Sequence, residues 1–268
     1  FNAIQLGDGE IEREDACRKV AILYHTQFGE RSRALAIANF LYKKALAGAV
    51  STHTYHDAMR AGFALRIVDD SRCHLDAMML SFDIAKEMKQ NWHALSSAWH
   101  LSLAFLDLGE QMHLDMWMHR VRELFSEVGD STTTNFVHSL LCRVAIEQGD
   151  RVSAREHFAT FSKNLPRFTT PRTDAYALCL STALDLLDNS WTPSEDRILA
   201  LQAQLDRVGS FGTADFNAAI AADALFRAGR VHAAELLIAN FMQFQRRESR
   251  RPSAILQRTL TRLEKTTG

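Results

Sequence analysis

Histidine is the residue type in this sequence with the clearest capacity for chemistry, because the chain contains 11 of them. An imidazole side chain binds transition metals or exchanges a proton near neutral pH. His53 and His56 are three residues apart, and His93 and His100 are seven apart. A metal site needs a third ligand that converges on the same point, and the spacing supplies none. The pattern therefore predicts polar histidines on a groove or surface, with no metal site.

Catalytic signatures are not found in the sequence. It contains no G-x-S-x-G, no phosphate-binding G-x-x-x-x-G-K-[ST], no G-x-G-x-x-G and no H-E-x-x-H. No pair of carboxylates and no activated nucleophile can be placed together from spacing alone. We therefore predict that the chain is not an enzyme and uses no cofactor. Because the sequence starts with Phe1 rather than methionine, we also expect it to be a piece of a longer protein.

Charge and composition limit the partners that the chain is expected to have. The formal net charge is −1, which gives no general attraction to nucleic acid or to anionic membranes. No apolar run reaches the 18 or so residues that cross a bilayer. The basic run Arg246, Arg247, Arg250 and Arg251 suits either a phosphate contact or a solvated linker, and the nearby Glu248 favours the linker. The four scattered cysteines are typical of reduced thiols, so we predict a cytoplasmic protein.

Helix is the only secondary structure that the sequence supports, since the chain has only four prolines and no alternating β-branched stretch. Residues that close helices recur every 40 positions. Glycine, asparagine and aspartate favour this position because they tolerate the left-handed conformation at a helix end. The six predicted stops are Gly29, Asp69, Gly109, Gly149, Asn189 and Gly229.

Small or apolar residues recur at fixed distances from these stops. Small side chains at matched positions of two antiparallel helices allow their backbones to approach closely. Seven residues before the stop, the sequence has Ile22, Gly62, Ser102, Cys142, Thr182 and Ala222. Five residues after it come Ala34, His74, Leu114, Ala154, Ser194 and Ala234. The 40-residue period therefore predicts a repeated helix hairpin.

We predict a single all-α domain that spans residues 1–268. One hairpin cannot bury its apolar face alone, so the hairpins must stack on one another. The expected hairpins are approximately 10–48, 51–90, 92–128, 131–165, 171–208 and 212–247, followed by a capping helix at 252–265.

This pattern resembles tetratricopeptide repeats, which have a small residue before the turn, a Gly-Asp-like pair at the turn and an alanine after it. The turn pairs here include Gly109-Glu110 and Gly149-Asp150. The period of 40 is longer than the usual 34 of that family, and is more similar to the divergent repeats of bacterial regulators. Such repeats occur in maltose-regulator-type activators of the LuxR class and next to diguanylate cyclase domains. The resemblance implies an α-solenoid with a right-handed superhelix and a concave face.

The resemblance also implies that the first helix of each hairpin lines the concave groove. A mixture of aromatic, apolar and a few charged side chains is then expected to bind a peptide, a protein segment or a small effector. The groove positions given by the repeat phase are His56, Met59, Phe63, Arg66, Ser96, Trp99, Leu103, Asp107, Phe136, Arg143, Tyr176, Phe216, Asp223 and Arg227.

Two alternatives remain open at the level of sequence. Phe136, Tyr176 and Phe216, which are 40 residues apart, either line the groove or pack between successive repeats. The chain is either a non-catalytic sensor of a bacterial signalling or transcription regulator, or a self-association platform for an attached effector domain. A homodimer would need an exposed apolar surface, for which the methionine-rich segments 78–80 and 112–118 are candidates, unless they form the inter-helix core.

Overall fold

The structure is a computed structural model, and it describes residues 31–68, 72–129, 131–164, 171–188, 214–247 and 259–261. The described residues form α-helices joined by short turns, with no β-strand among them. The prediction of an all-α chain is therefore confirmed for this part of the sequence. The helices are α1 Arg31–Ala47, α2 Thr52–Val68, α3 Cys73–Glu87, α4 Asn91–Leu108, α5 Gln111–Val128, α6 Ser131–Gln148, α7 Arg151–Asn164, α8 Pro171–Leu187, α9 Ala214–Arg227 and α10 Val231–Arg247.

Three of the predicted helix stops lie in the described residues, and all three are confirmed. Gly109, Gly149 and Gly229 have φ angles of 71°, 75° and 73°, in the left-handed region. After α4, the Gly109 N–H donates to the carbonyl of Leu106 and the Glu110 N–H donates to that of Phe105. These bonds satisfy the last carbonyls of the helix and allow α5 to begin at once. The predicted stops Gly29, Asp69 and Asn189 lie outside the described residues.

The small residues before the turns are buried between paired helices. A β-carbon built on Gly62 would lie 2.6 Å from Cγ of Met78, on the facing helix α3. A larger side chain at Gly62 would therefore push α2 and α3 apart. The equivalent residues Ser102, Cys142, Thr182 and Ala222 are also buried. So are His74, Leu114, Ala154 and Ala234, five positions after the turn.

The helices that open successive hairpins contact one another. Of the helices that open each hairpin, which we call first helices, α4 packs against α6, α6 against α8, and α8 against α9. The second helices, α3, α5, α7 and α10, pack mainly against the first helices next to them. This arrangement brings the first helices together along one side of the stack.

The buried core has two large clusters that meet at α6. One cluster extends from Ala45 to Val144 and includes Leu140 of α6. The other extends from Cys142 to Ala224 and includes Ala145 of the same helix. Because opposite faces of α6 enter different clusters, this helix couples the two halves of the described structure.

Some of the predicted organisation lies outside the described residues. This applies to the hairpin 10–48 before residue 31, to residues 189–208, and to most of the capping helix at 252–265, of which residues 259–261 are helical. Among the described helices, none combines the length and the apolar character needed to cross a bilayer.

Candidate binding surface

Four rings from three successive first helices form a continuous line of contacts, which we call the aromatic ladder: Phe63 of α2, His100 and Trp99 of α4, and Phe136 of α6. The ring centroids of Phe63 and His100 are 4.3 Å apart, and those of Trp99 and His100 are 4.5 Å apart. The centroids of Trp99 and Phe136 are 5.8 Å apart. All three pairs meet edge to face, which is a favourable geometry for aromatic rings.

A hydrogen bond fixes the middle of the aromatic ladder. The indole N–H of Trp99 donates to the backbone carbonyl of Phe136 over 2.8 Å. The side chain of Phe136 is nevertheless 48% exposed. The ladder therefore offers an open aromatic face held on a rigid support, which reduces the ordering cost of binding a ligand.

A second group of rings continues the same helices towards their N-termini. The ring of Tyr55 lies 4.4 Å from that of His93, and its hydroxyl donates to the His93 carbonyl over 3.2 Å. His56 and the 43%-exposed Trp92 also contact His93, at 5.6 Å and 5.5 Å between centroids. Burial, together with the neighbouring His56, lowers the pKa of His93 below its ordinary value. His93 is therefore neutral near pH 7.

Helix α4, in the middle of this surface, is poor in charge. In α4, the only charged residue of the 18 is Asp107, next to the last position of the helix. The half-buried polar residues of α4 near Trp92 and Trp99 in sequence are Asn91, His93, Ser96 and His100, none of them a carboxylate, lysine or arginine. Such a surface suits an apolar or aromatic group better than a strongly charged one.

The four polar side chains Arg66, Asp107, Arg143 and Tyr176 form a second line, which we call the charge ladder. The carboxylate of Asp107 accepts hydrogen bonds from the guanidinium groups of Arg66 on α2 and Arg143 on α6. Arg143 has 0% of its side chain exposed, and it also interacts with the hydroxyl of Tyr176 on α8. The charge ladder thus joins the first helices of four successive units.

The environment of the charge ladder keeps Arg143 cationic and Tyr176 neutral. Burial opposes the charge of Arg143, but Asp107 and Tyr176 outweigh it, so the pKa of Arg143 is raised. Burial raises the pKa of Tyr176 to about 12, despite the opposing effect of the Arg143 charge. Tyr176 therefore stays protonated and Arg143 depends on Asp107 for its counter-charge.

The last unit with predicted groove residues has its own polar contacts. Arg227 lies 3.4 Å from Asp223, one turn earlier on α9. Its guanidinium also donates to the carbonyl of Leu186 over 2.7 Å, near the end of α8. Arg227 thus satisfies a carbonyl at a helix C-terminus, where a positive charge is favourable.

Burial divides the predicted groove residues into two sets. Phe63, Arg66, Trp99, Asp107 and Phe136 take part in the two ladders and keep some exposed surface, and His56 and Ser96 are half-buried beside them. Met59 and Leu103 are buried in the core, and Arg143 is fully buried, so a ligand on this surface does not touch them directly. Phe216 lies in α9, but its side chain is outside the described residues.

The aromatic residues that recur every 40 positions lie in different environments. Phe136 is half-exposed on the aromatic ladder, whereas Tyr176 packs between units against Arg143. Trp92, His93 and His100 belong to the surface but were not selected by the repeat phase. Their spacing contained a signal, since His93 and His100, like Trp92 and Trp99, are seven residues apart and share a helix face.

Two pockets among the described residues lie away from the aromatic ladder. One, at the α4–α5 turn, is lined by Phe105, Leu114 and Glu147 among others and holds about 80 Å³. The other lies between the second helices α3 and α5 and holds about 320 Å³.

No group of three metal-ligating side chains is found in the part of the chain that the structure describes. Two histidines do meet directly, His138 on α6 and His157 on α7, whose Nδ1 atoms are 3.1 Å apart. Burial, followed by the effect of His157, lowers the pKa of His138. Burial also lowers the pKa of His157, helped by Arg122 and opposed by Glu156 and Asp150.

From the lowered pKa values of His138 and His157, we predict that the protein loses stability in mild acid. The folded pKa values lie below the ordinary value of 6.5, so the unfolded chain binds more protons than the folded chain as the pH falls through that value. The contribution of this pair to the free energy of unfolding is therefore fully present above about pH 6.5 and decreases below it. We expect thermal unfolding measured from pH 7.5 to 5.5 to show a smaller decrease of Tm in His157→Gln than in the unmodified chain.

His232→Gln is the control for this experiment, because the His232 side chain is 85% exposed. Its Tm should follow that of the unmodified chain at every pH. An equal pH dependence in His157→Gln and the unmodified chain would show that the pair does not control acid stability.

The comparison with known proteins finds no relative of this chain. No protein family model matches the chain, and no curated protein matches it either.

Proposed function

We propose that this chain is a non-catalytic binding module that holds a peptide, a protein segment or a small effector on the side formed by its first helices. The observation that carries the proposal is the aromatic ladder. It presents three half-buried rings and the exposed ring of Phe136, and it is anchored by the Trp99 N–H bond to the Phe136 carbonyl. Burying that face against a ligand with apolar or aromatic groups is favourable, and its fixed geometry supplies selectivity.

We further propose that the helix hairpins form a tetratricopeptide-like α-solenoid, a right-handed superhelix of about six hairpins with a capping helix. The close packing of α4 on α6 and of α6 on α8 supports this proposal. Helices that pack more closely on one side of a stack curve it towards that side. The aromatic ladder, which lies on these helices, would then line the concave face.

The ligand that fits best is an extended peptide with aromatic, aliphatic or proline side chains. The rings of the aromatic ladder are spaced across three neighbouring helices, so a chain that crosses those helices meets one ring after another. Arg66 and Asp107 lie at the far end of the same helices and supply polar anchors at the edge of the surface. Peptides are recognised in this way by grooves that combine apolar pockets with a few polar contacts.

Selection from a random peptide library on the immobilised full chain tests the proposal. A selected peptide is then synthesised and its affinity measured by calorimetry. We expect Phe136→Ala to weaken binding by about 2 kcal/mol, or about 30-fold, because an exposed aromatic anchor is removed. The fold should persist, since about half of the Phe136 side chain faces solvent.

Met112→Ala is the matched control, because Met112 is an exposed apolar residue, 77% accessible, on the second helix α5. It should change the affinity by less than about twofold. If the selected peptides bind Phe136→Ala as tightly as the unmodified chain, the aromatic ladder is not the binding surface.

The setting we propose for this module is a cytoplasmic bacterial signalling or transcription regulator, where ligand binding would act on an attached effector domain. The described cysteines Cys73, Cys142 and Cys179 are free thiols, in keeping with a reducing compartment. Burial raises the pKa values of Cys142 and Cys179 to about 12, so both thiols are unreactive.

A self-association platform is the alternative, and one observation favours it. Met112 and Met116 are exposed and four residues apart on α5, so they share one face of that helix. Met78, Trp117 and Met118 are buried in the core and cannot supply such a surface.

Light scattering on the full chain tests this alternative. If α5 mediates self-association, the molar mass should rise to that of a dimer as the protein concentration increases. The paired variant Met112→Glu with Met116→Glu should remain a monomer under the same conditions, because burying the two new charges would oppose association. A constant monomeric mass in the unmodified chain would reject the platform.

A further inference from the structure

Two histidines meet between α6 and α7, at positions of the repeat where the described residues of the other hairpins are apolar. His138 lies eleven residues before the helix stop at Gly149, and His157 lies eight residues after it. The other described residues are Ala58, Ala98, Leu178 and Ala218 at the first position, and Ile37, Ala77, Trp117 and Leu237 at the second. Arg18 and Arg197, which share these positions of the repeat, lie outside the described residues. The fourth hairpin therefore has a titratable pair in place of an apolar contact.

The contact between these two rings holds only while at least one of them is neutral. Their Nδ1 atoms are 3.1 Å apart and their ring centroids 5.1 Å apart. A hydrogen bond between two imidazole nitrogens needs a protonated donor and an unprotonated acceptor. When both rings are protonated, both nitrogens are donors and both rings are positively charged, so the contact becomes repulsive. On its other side, His138 faces the uncharged ring of Phe125 on α5, with centroids 6.1 Å apart.

The charged groups around the pair do not compensate for its protonation. Burial has the largest effect on the pKa of His157 and lowers it, while Glu156 and Asp150 raise that pKa and Arg122 of α5 lowers it. Burial, followed by the effect of His157, lowers the pKa of His138. Glu156 and Asp150 are exposed, so water and salt screen their effect on the rings. The packed state of α6 and α7 therefore favours the neutral form of both histidines.

Helix α7 has few other buried contacts that could hold it in place when this contact fails. Among its described side chains, those of Ala154 and Phe161 are buried, whereas α5, the equivalent helix of the preceding hairpin, buries five, from Leu114 to Leu124. Helix α6 is held independently of α7, through Arg143 in the charge ladder and through residues in both core clusters. Elements with little buried surface open at the lowest free energy. Loss of the histidine contact should therefore release α7 rather than α6.

We propose that His138 and His157 form a pH-sensitive switch, which holds α7 against α6 near pH 7 and releases α7 when both rings are protonated. Released imidazoles return to the ordinary pKa of 6.5, so the open form binds more protons and becomes more populated as the pH falls through that value. The release is local, and it uncovers the side of α6 that faces α7. Cys142 lies on that side, because its equivalent Gly62 faces the second helix of its own hairpin.

Hydrogen exchange of the full chain, followed by mass spectrometry at pH 7.5, 6.5 and 5.5, tests the proposal. The protection of each helix is the exchange rate of the unfolded chain divided by that of the folded chain at the same pH. We expect the protection of α7 to fall at least about tenfold between pH 7.5 and 5.5, because two groups favour the open form in acid. Helix α4, which lies in the first core cluster, should keep most of its protection over the same range.

Variants assign the effect to the histidine pair. His138→Ala with His157→Leu installs the pair that the sixth hairpin has, Ala218 and Leu237, and should make the protection of α7 independent of pH. His157→Gln, which keeps a polar side chain that does not titrate, should reduce the fall in the same way. His232→Gln, at an exposed histidine, should leave the fall unchanged. Protection of α7 that does not depend on pH, an equal fall in α4, or the full fall in both His157 variants would each overturn the proposal.

Discussion

Asp107→Ala is expected to lower the free energy of unfolding by about 3–5 kcal/mol, one of the two largest effects we predict for a single substitution. Asp107 is the counter-charge of Arg143, whose side chain is completely buried, and it also binds Arg66. Without the carboxylate, a buried guanidinium keeps its charge but loses the group that compensates for its removal from water. Chemical denaturation followed by circular dichroism measures the loss.

Asp188→Ala is the matched control for this prediction. Asp188 also accepts hydrogen bonds from an arginine of a neighbouring helix, but that residue, Arg155, has a side chain that is 61% exposed. Water can solvate Arg155 when its partner is removed, so we expect a loss below about 1 kcal/mol. Equal losses in the two variants would show that the charge ladder has no special role in stability.

A second substitution separates the effect of charge from the effect of lost packing. Replacing Arg143 with methionine in the Asp107→Ala background removes the uncompensated charge and keeps much of the side-chain volume. We expect this double variant to be more stable than Asp107→Ala alone, because an apolar residue in a buried site needs no counter-charge. A double variant less stable than Asp107→Ala would mean that Arg143 stabilises the stack mainly by packing.

Leu140→Ala is expected to lower the free energy of unfolding by about 2–5 kcal/mol, because it creates a cavity at a fully buried site. The position of the cavity matters as much as its size. Leu140 lies on α6, the helix at which the two core clusters meet. Weakening this junction should reduce the coupling between the halves, so denaturation should change from one transition to two.

Leu108→Ala is the matched control, because Leu108 is an exposed leucine at the end of α4. It should lower the free energy of unfolding by less than about 0.5 kcal/mol and leave the shape of the denaturation transition unchanged. Hydrogen exchange identifies the half that opens first in Leu140→Ala. A single cooperative transition in that variant would show that the two clusters are coupled by contacts other than those of α6.

The elements of the fold were the most predictable part of this protein. Gly109, Gly149 and Gly229 end their helices in the left-handed conformation, as their type and spacing predicted. This preference depends on the absence of a β-carbon and on the few residues around each turn. The close approach of α2 and α3 at Gly62 was predictable for a similar reason, since a small residue at a fixed distance before the turn indicates that the paired helices come close there.

The candidate site was less predictable, because it depends on contacts between different hairpins. The repeat phase of 40 residues aligned Phe136 with Tyr176, but the structure pairs Trp99 with Phe136, 37 positions apart, and Asp107 with Arg143, 36 apart. Even between the same two helices, α2 and α4, the pairs Phe63–His100 and Arg66–Asp107 are 37 and 41 positions apart, so the phase of 40 does not fix which side chains meet. His100 joins the aromatic ladder through Phe63 and Trp99, and Arg143 is buried as the partner of Asp107.

The sequence alone determined where the described helices of this protein turn and which of their residues face each other within a hairpin, because those features depend on local backbone preferences and on side-chain size. The tertiary structure alone decided which polar and aromatic groups meet across hairpins. That choice depends on how helices from different hairpins pack and on the reach of each side chain, which no short stretch of sequence encodes. The difference is clearest at Arg143, whose type and position suggested a groove residue and whose packing makes it the buried partner of Asp107.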